Sequence, residues 1–495
     1  MLACVLVFLT VGSLADGDRA LASVPDEERP DVVIVLTDDQ RWDSVGTMPF
    51  TRRALVGPGV SFAEAFVVNP LCCPSRASLL TGLYSHSTNV YRQVAPYGRL
   101  EWFEDSSTIA TWLDDAGYDT GYFGKYIDGG QSYLTKGFVP PGWDRWAAFV
   151  HAEYYDYGLS IDGTIRSHGH EPEDYSTDVL ADEAAAFLRS ADAPAFAVLA
   201  VAAPHAPGTP APRHADAPVP AWDRPPSFDE ADISDKPPWV RTLPRLGDEG
   251  ARAIEAARAD QLRSLRAVDD AIRRLVQVQR ERGRLRDTVF ILTSDNGLLW
   301  GEHRWTKKEA PYEESIRVPL VIRYDRLAEP HVERRMALNI DIAPTIAELA
   351  GVRTPHVEGT SLVPLIRGTS VDWREDFLVE HLEGANPVTT YCAVRTERHL
   401  YVEYRDGSTE FFDLRRDPHQ MESTHGGALA RSLAERLDEL CDPPPPDTPP
   451  ITRTGGQAPD PGTDPTVPIA LGAVLLTAGG GLFIQRWRKG RRTAG

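Results

Sequence analysis

Cysteine is scarce in this chain, five residues in 495, too few for a disulfide framework in a protein of this length. Positive charge is scarce too: 52 Lys and Arg stand against 72 Asp and Glu, a net charge of −20. Five of the basic residues (Arg486, Arg488, Lys489, Arg491 and Arg492) fall in the last eleven positions, which leaves 47 against 72, or −25, on everything before them. A body that acidic lacks the electrostatic footprint of a nucleic-acid binder, so no nucleic-acid partner is expected. Hydrophobic residues at 42% and charged residues at 25% are ordinary for globular domains, which excludes bulk disorder and a multi-span membrane protein. The length allows two to four domains.

The two ends carry addresses. Residues 1–15 are largely apolar, and Ala20-Leu21-Ala22 offers a small-x-small cleavage site before Ser23. Residues 1–22 therefore resemble a secretory signal, although the usual basic start is missing; a buried first strand is the alternative. At the other end, Val467 to Ile484 is an uncharged run of eighteen residues followed by Arg486-Trp487-Arg488-Lys489. Such a run is about the minimum that crosses a hydrocarbon core, and its basic flank predicts a cytoplasmic tail over 485–495. Ten of the 27 residues from Asp442 to Pro468 are proline, so a linker over 442–466 is expected to be stiff and extended. Together these features describe an exported body held off the outer face of a cell membrane on a stalk. The variant is a cell-wall sorting signal, for which Ile451-Thr452-Arg453-Thr454-Gly455 is a faint match.

Between the ends, the apolar runs stop at reactive residues. Asp31 to Thr37 is a β-branched run ending in Asp38-Asp39; Ala195 to Ala202 ends in Ala203-Pro204-His205; Thr288 to Thr293 ends in Ser294-Asp295-Asn296-Gly297. Unbroken runs of this kind suit strands buried on both faces of a parallel sheet. Helical patterns alternate with them: Asp178 to Ser190, with Ser176 or Thr177 as its cap, and a charge-laced helix or helix pair from Gly250 to about Arg282. The alternation predicts an α/β fold whose ligands gather at the carboxyl ends of the strands.

Asp38, Asp39, Asp295 and the amide oxygen of Asn296 would converge at that edge. Their charges need compensation when buried, and an all-oxygen donor set favours calcium or magnesium over zinc. The plainer alternative makes Asp-Asp a helix cap and Asp-Asn-Gly a turn. Asn69 to Gly82 reads as a loop entering a helix, with Pro74 early and Gly82 after its end. That places Cys72 at the positive end of the helix with Arg76 one turn in, a setting that favours an anion. For the adjacent Cys72 and Cys73 a structural role is the alternative, while Cys392 and Cys441 could pair outside the cell.

Cys72-x-Pro74-Ser75-Arg76, followed by Leu80-Thr81-Gly82, resembles the signature of type I sulfatases. The resemblance extends from about Asp31 to Met421. Gly117-Tyr118-x-Thr120 with Gly124-Lys125, Ala203-Pro204-His205, Lys308 with Tyr312-Glu313, Val318-Pro319, Asp341-x-x-Pro344-Thr345, and Phe411-Phe412-Asp413-Leu414 with Asp417-Pro418 all match family blocks. It implies an alkaline phosphatase-like fold. A large, mostly parallel mixed sheet flanked by helices would fill a catalytic domain over 23–366, with a smaller antiparallel α+β subdomain over 367–441.

The resemblance also implies the chemistry. A formylglycine-generating enzyme would convert Cys72 to formylglycine, whose hydrate attacks the sulfur of a sulfate ester and later expels sulfate. Asp38, Asp39, residue 72, Asp295 and Asn296 would hold Ca2+, with Mg2+ the alternative. Arg76, Lys125 and Lys308 would bind the sulfate, and His205 would protonate the leaving alcohol. One departure stands out: the family's Lys-x-His is Lys125-Tyr126-Ile127 here. His303, in Gly301-Glu302-His303, is the candidate to replace the missing histidine.

Leu71-Cys72-Cys73-Pro74-Ser75-Arg76, Pro140-Pro141-Gly142-Trp143 and Tyr154-Tyr155-x-Tyr157 through Ser160-Ile161-Asp162-Gly163 are most similar to the N-acetylglucosamine-6-sulfatase branch, which suggests sulfated sugars as substrates. Those aromatics would serve the core more than a sugar pocket. Two competitors remain: a phosphonate or phosphodiester hydrolase of the same family, and a surface anion- or glycan-binding protein with an idle site.

Overall fold

The structure, a computed structural model, describes residues 29–424 and 426–447. The signal-like segment 1–22, most of the 442–466 linker, the apolar run 467–484 and the tail 485–495 lie outside the described residues. Among the described residues no helix is long and apolar enough to cross a membrane.

The strands in chain order are β1 (Asp31–Asp38), β2 (Val60–Phe62), β3 (Ala65–Phe66), β4 (Asp119–Gly124), β5 (Arg145–Phe149), β6 (Gly158–Ile161), β7 (Thr164–Ser167), β8 (Ala195–Pro204), β9 (Thr288–Ser294), β10 (Leu320–Arg323), β11 (His331–Glu333), β12 (Ala337–Leu338), β13 (Asp376–His381), β14 (Tyr391–Thr396), β15 (His399–Tyr404) and β16 (Thr409–Asp413). Ten of them form one sheet in the order β11-β2-β10-β9-β1-β8-β4-β5-β6-β7. Its central strands β9, β1, β8 and β4 run parallel. Antiparallel pairs attach β10 at one side and extend β5 through β6 and β7 at the other.

Every residue of β1, β8 and β9 is buried, as continuous apolar runs demand when helices cover both faces. Val32, Ile34 and Leu36 pack with Ala77, Leu113 and Ile346 on one side. Val33 and Val35 pack with Leu180, Leu265 and Ile272 on the other. The latter side is covered by Ser176–Ser190 and Gly247–Glu281. The second is one continuous helix of 35 residues rather than a pair, and its buried Ile254, Leu265, Ile272 and Leu275 keep a helical period. The first begins at Ser176 itself, with Tyr175 in the cap position and no side-chain cap. Ser176 and Thr177 are instead buried in its first turn.

The C-terminal segment forms the antiparallel meander β13-β14-β15-β16, with the Gly427–Leu440 helix against it. Cys392 and Cys441 form a disulfide that ties β14 to the end of that helix. One face of the meander packs on that helix in a cluster of its own, with Leu378, Val394, Phe411, Leu433 and Leu437; on the other, Phe377, Tyr391 and Phe412 share a cluster with Phe66, Trp305 and Tyr312 of the larger part. A division at 366/367 falls between the two sheets, the smaller of which keeps a core of its own and shares a second with the larger part.

A buried carboxylate sits on that seam. Glu410 of β16 accepts hydrogen bonds from the hydroxyls of Tyr312 (2.9 Å) and Tyr404 (2.6 Å). Burial pushes its carboxyl from 4.5 up to about 7, against these two hydrogen bonds and Lys236. A carboxyl raised by folding stabilises the native state below its unfolded value, and the contribution is lost as pH rises through the folded value. Glu410→Gln, which cannot ionise, should gain stability relative to the native chain between about pH 5 and pH 8. Denaturation midpoints measured across that range check this; parallel curves for the two proteins would contradict it.

Candidate active site

Four adjacent parallel strands deliver their carboxyl ends to one edge. β1 brings Asp38 and then Asp39, β9 brings Asp295 and Asn296 just past Ser294, β8 brings His205 just past Pro204, and β4 brings Lys125 just past Gly124. Asp39 turns the chain at φ 67°, a left-handed conformation that costs a non-glycine residue energy and is held by its surroundings. Its N–H donates to the Asp295 carboxylate at 3.1 Å. At Gly124, φ 125°, an added Cβ would lie 1.8 Å from the carbonyl oxygen of Ala200. Only glycine lets β4 approach β8 closely enough to aim Lys125 inward.

Onto this edge the Cys72–Thr81 helix points its N-terminus, and all ten of its residues are buried. Gly82 closes it in the left-handed conformation expected of a terminal glycine. The two cysteines diverge. Cys72 Sγ lies 3.3 Å from Asp38 Oδ1 and 2.8 Å from Lys308 Nζ. Cys73 faces the apolar core, and burial pushes its thiol up to about 12.

Three cations thread the three carboxylates. Lys125 Nζ is 2.7 Å from Asp38 Oδ2, and Lys308 Nζ is 2.7 Å from Asp39 Oδ1. Arg76 reaches Asp295 at 2.7 Å and Asp38 at 3.4 Å, and also donates to the Lys125 carbonyl. Burial alone would raise Asp38, but Lys125, His205, Arg76 and Lys308 outweigh it and hold the carboxyl well below the usual range. Asp295 goes the other way: burial and then repulsion from Asp38 push it up despite Arg76. Burial works against the Lys308 ammonium, yet Asp39 outweighs it and keeps the charge. The Cys72 thiol is pushed well above its ordinary value by burial and then by Asp295 and Asp38. It stays protonated and is a poor nucleophile as it stands.

One donor ligand of Asp38, Asp39, Cys72 and Asp295 each lies within 4.8 Å of the others, all on buried residues. Asn296 donates through Nδ2 to Asp39 Oδ1 at 2.6 Å, while its buried Oδ1 has no hydrogen-bond partner. Carboxylates that still repel and an orphaned amide oxygen fit a hard divalent cation. The sulfur of Cys72 is the one soft donor in the set, so oxygen chemistry at that position would suit the cation better.

Among the described residues three cavities touch the cluster, of which one of about 70 Å3 meets Lys308 beside Arg92 and Asn386. A narrow one of about 50 Å3 is bounded by Asp38, Lys125, Ile127, His151, Tyr154 and His205. A wide one of about 550 Å3 is bounded by Asp39, His205, Lys308 and, beyond them, apolar side chains. His205 touches the narrow and the wide one. Its Nδ1 donates to the carbonyl of Ala206 at 2.8 Å, which turns Nε2 toward Asp39 Oδ2, 3.7 Å away.

His303 does not join them. It is fully buried with Nδ1 2.6 Å from Glu230, packs against Tyr312, and lines none of the three cavities. Burial lowers its pKa. The expected replacement for the missing Lys-x-His histidine is therefore wrong for His303: Glu230 captures the ring. A histidine does line the cavity that Ile127 faces, namely His151, paired with Gln131. No motif singled it out. The tyrosines are mainly core, as expected, though buried Tyr154 also donates to the His205 carbonyl at 2.7 Å.

Residues 30–352 match the sulfatase family model, and residues 301–442 match that of the C-terminal region of N-sulphoglucosamine sulphohydrolase. The Drosophila melanogaster extracellular sulfatase SULF-1 homolog is 33% identical over 372 residues, 72% of this chain but 33% of that protein, so the chain spans a third of its length. N-acetylglucosamine-6-sulfatase of Capra hircus is 32% identical over 461 residues, covering 83% of this chain and 81% of that protein. A solved structure in complex with its substrate D-glucosamine-2-N,6-O-disulfate superposes with a TM-score of 0.69 at 25% identity, covering 84% of this chain and 98% of that one.

Arg76 is the pivot of the cluster, since it alone bridges Asp38 and Asp295. Arg76→Leu leaves two buried carboxylates repelling each other, and removing one partner of such a pair costs about 3–5 kcal/mol. Urea denaturation should show a loss of that order; a change under about 1 kcal/mol would mean the bridge is dispensable.

Proposed function

The chain belongs to the sulfatase family, and from that membership we propose that it hydrolyses sulfate esters, with residue 72 oxidised to formylglycine and Ca2+ held beside it. The observation that carries this reading is the setting of Cys72: a protonated thiol sunk among three carboxylates, two ammoniums and a guanidinium. No thiolate chemistry is supported there. The three carboxylates and three cations cancel, so a bound divalent cation would leave the site net positive, as an anionic ester requires.

An aldehyde at position 72 supplies, once hydrated, an oxygen nucleophile in place of the thiol. Asp38, Asp39, Asp295 and Asn296 would hold the calcium ion, which would supply Lewis acidity there. The chain's own groups do the rest. Lys308, in contact with residue 72, and Lys125, paired with the neighbouring Asp38, would clamp the anion, while Arg76 fixes the carboxylates. Neither ammonium needs to move far: each exchanges a carboxylate oxygen for a substrate oxygen. His205, oriented through Nδ1, turns Nε2 toward the cluster, from where it would protonate the departing alkoxide. Residue 72 is itself fully buried, which keeps bulk water from the nucleophile.

Export fits the oxidised Cys392–Cys441 pair and the extracellular designation of the SULF-1 homolog. Anchorage of the body to the outer face of the membrane through residues 467–484 is part of the same proposal. The relatives' names point to amino-sugar sulfates, whereas the space beside the leaving oxygen has a different character.

Mass spectrometry of the Cys72 peptide from native-host protein should show the aldehyde; a quantitative free thiol would remove the nucleophile and the proposal with it. Cys72→Ala should lower aryl sulfate turnover by at least about 10^3-fold, while Cys73→Ala retains much of it. Equal losses would mean that the wrong cysteine is assigned. An aryl phosphodiester should be turned over more slowly than the aryl sulfate. Chelation should abolish activity and lower the thermal midpoint, and calcium at about 100 times its Kd should restore about 2.7 kcal/mol of stability. A midpoint indifferent to chelator would argue against a resident ion.

A further inference from the structure

The alcohol half of the ester needs a place next to the groups that release it. His205 touches both the narrow and the wide cavity, but only the wide one, which touches none of Cys72, Arg76 and Lys125, has room for an organic group. We infer that this cavity receives the alcohol half of the ester, and that the alcohol is apolar and ring-sized or larger rather than a sugar. The inference rests on the sulfatase reading and narrows its substrate class.

The walls decide the chemistry. Leu298, Leu299 and Trp300 form one side, and Ile254 with Ala253 and Ala257 of the Gly247–Glu281 helix forms the other. A sugar carries a hydroxyl on almost every carbon, and each needs a partner when enclosed. Away from the cluster, Gln261, Thr306 and Lys307 are the polar side chains in the lining. Gln261 is already engaged, its Oε1 accepting from Trp300 Nε1 at 2.7 Å. An apolar group would meet the remaining wall without leaving a polar atom unpaired.

The space is also built to stay open. Ala253 and Ala257 are exposed and one turn apart, so the helix presents no bulk there. Trp300 is held in place by Gln261 and by the guanidiniums of Arg41 and Arg258, 4.3 and 5.2 Å from its ring centre. The volume, about 550 Å3, falls within the roughly 300–1,000 Å3 of sites that enclose drug-sized ligands. The narrow cavity, at about 50 Å3, is far below that range.

The test uses the mature full-length protein and two esters, 2-naphthyl sulfate and glucosamine 6-sulfate, with free 2-naphthol as a binding probe. The native enzyme should favour the naphthyl ester by about ten- to hundredfold in kcat/KM. Ala257→Trp, a surface substitution outside the catalytic groups, should raise KM for the naphthyl ester at least about tenfold, leave kcat within about twofold, and weaken 2-naphthol binding by equilibrium dialysis to the same extent. Preference for glucosamine 6-sulfate, or Ala257→Trp without effect on naphthol binding, would overturn the inference while leaving the sulfatase reading intact. If neither ester is turned over, the sulfatase reading fails, and dialysis still decides whether the cavity binds apolar alcohols.

Discussion

Six buried charges of opposite sign, three carboxylates and three cations, have to be kept in register at the mouth of a parallel sheet. No single element can do this. Asp38, Lys125, His205 and Asp295 come from four different strands, and Arg76 and Cys72 come from a helix that meets those strands end-on. Each ion pair is worth having only because its partners are already fixed; a carboxylate buried without its cation would cost more than the fold can spare. The fully buried strands β1, β8 and β9 are the scaffold that this demands.

The same logic reaches the second sheet. The loop carrying Trp305 and Lys308 runs from β9 toward Tyr312, whose hydroxyl binds Glu410 of the C-terminal meander. Lys308 is therefore braced from behind by β14 and β16, through the aromatic cluster of Tyr312, Tyr391 and Phe412. A subdomain that contributes no residue to the charge cluster still determines where one of its lysines sits.

Much of this was legible in the amino-acid order, and for identifiable reasons. Strands buried on both faces leave continuous apolar runs, so β1, β8 and β9 and the reactive residues at their ends were visible directly. β4 was not: Asp-Thr-Gly-Tyr-Phe-Gly has two glycines and no such run, because close approach to β8 excludes side chains at Gly124. Its lysine was reached only through the family motif. His151 carried no signal at all, since a loop residue acquires its place from tertiary packing alone. His303 was misplaced because nothing in sequence marks Glu230, 73 positions away, as the partner that would claim it. The apolar character of the wide cavity was equally hidden, being assembled from a helix flank and a loop far apart along the chain.

The separations inside the charge cluster also dictate when it can exist. Asp39 meets Asp295 across 256 positions and Lys308 across 269. Contacts of that span form late, after the chain has paid the entropy of closing very large loops. β1 and β4 are joined only through β8, so even Asp38 and Lys125 come together only once residues 195–204 have paired with both strands, and Asp39 still lacks a lysine 269 positions on. Enclosure of residue 72 thus depends on Asp295 and Lys308, which lie beyond the midpoint of the chain.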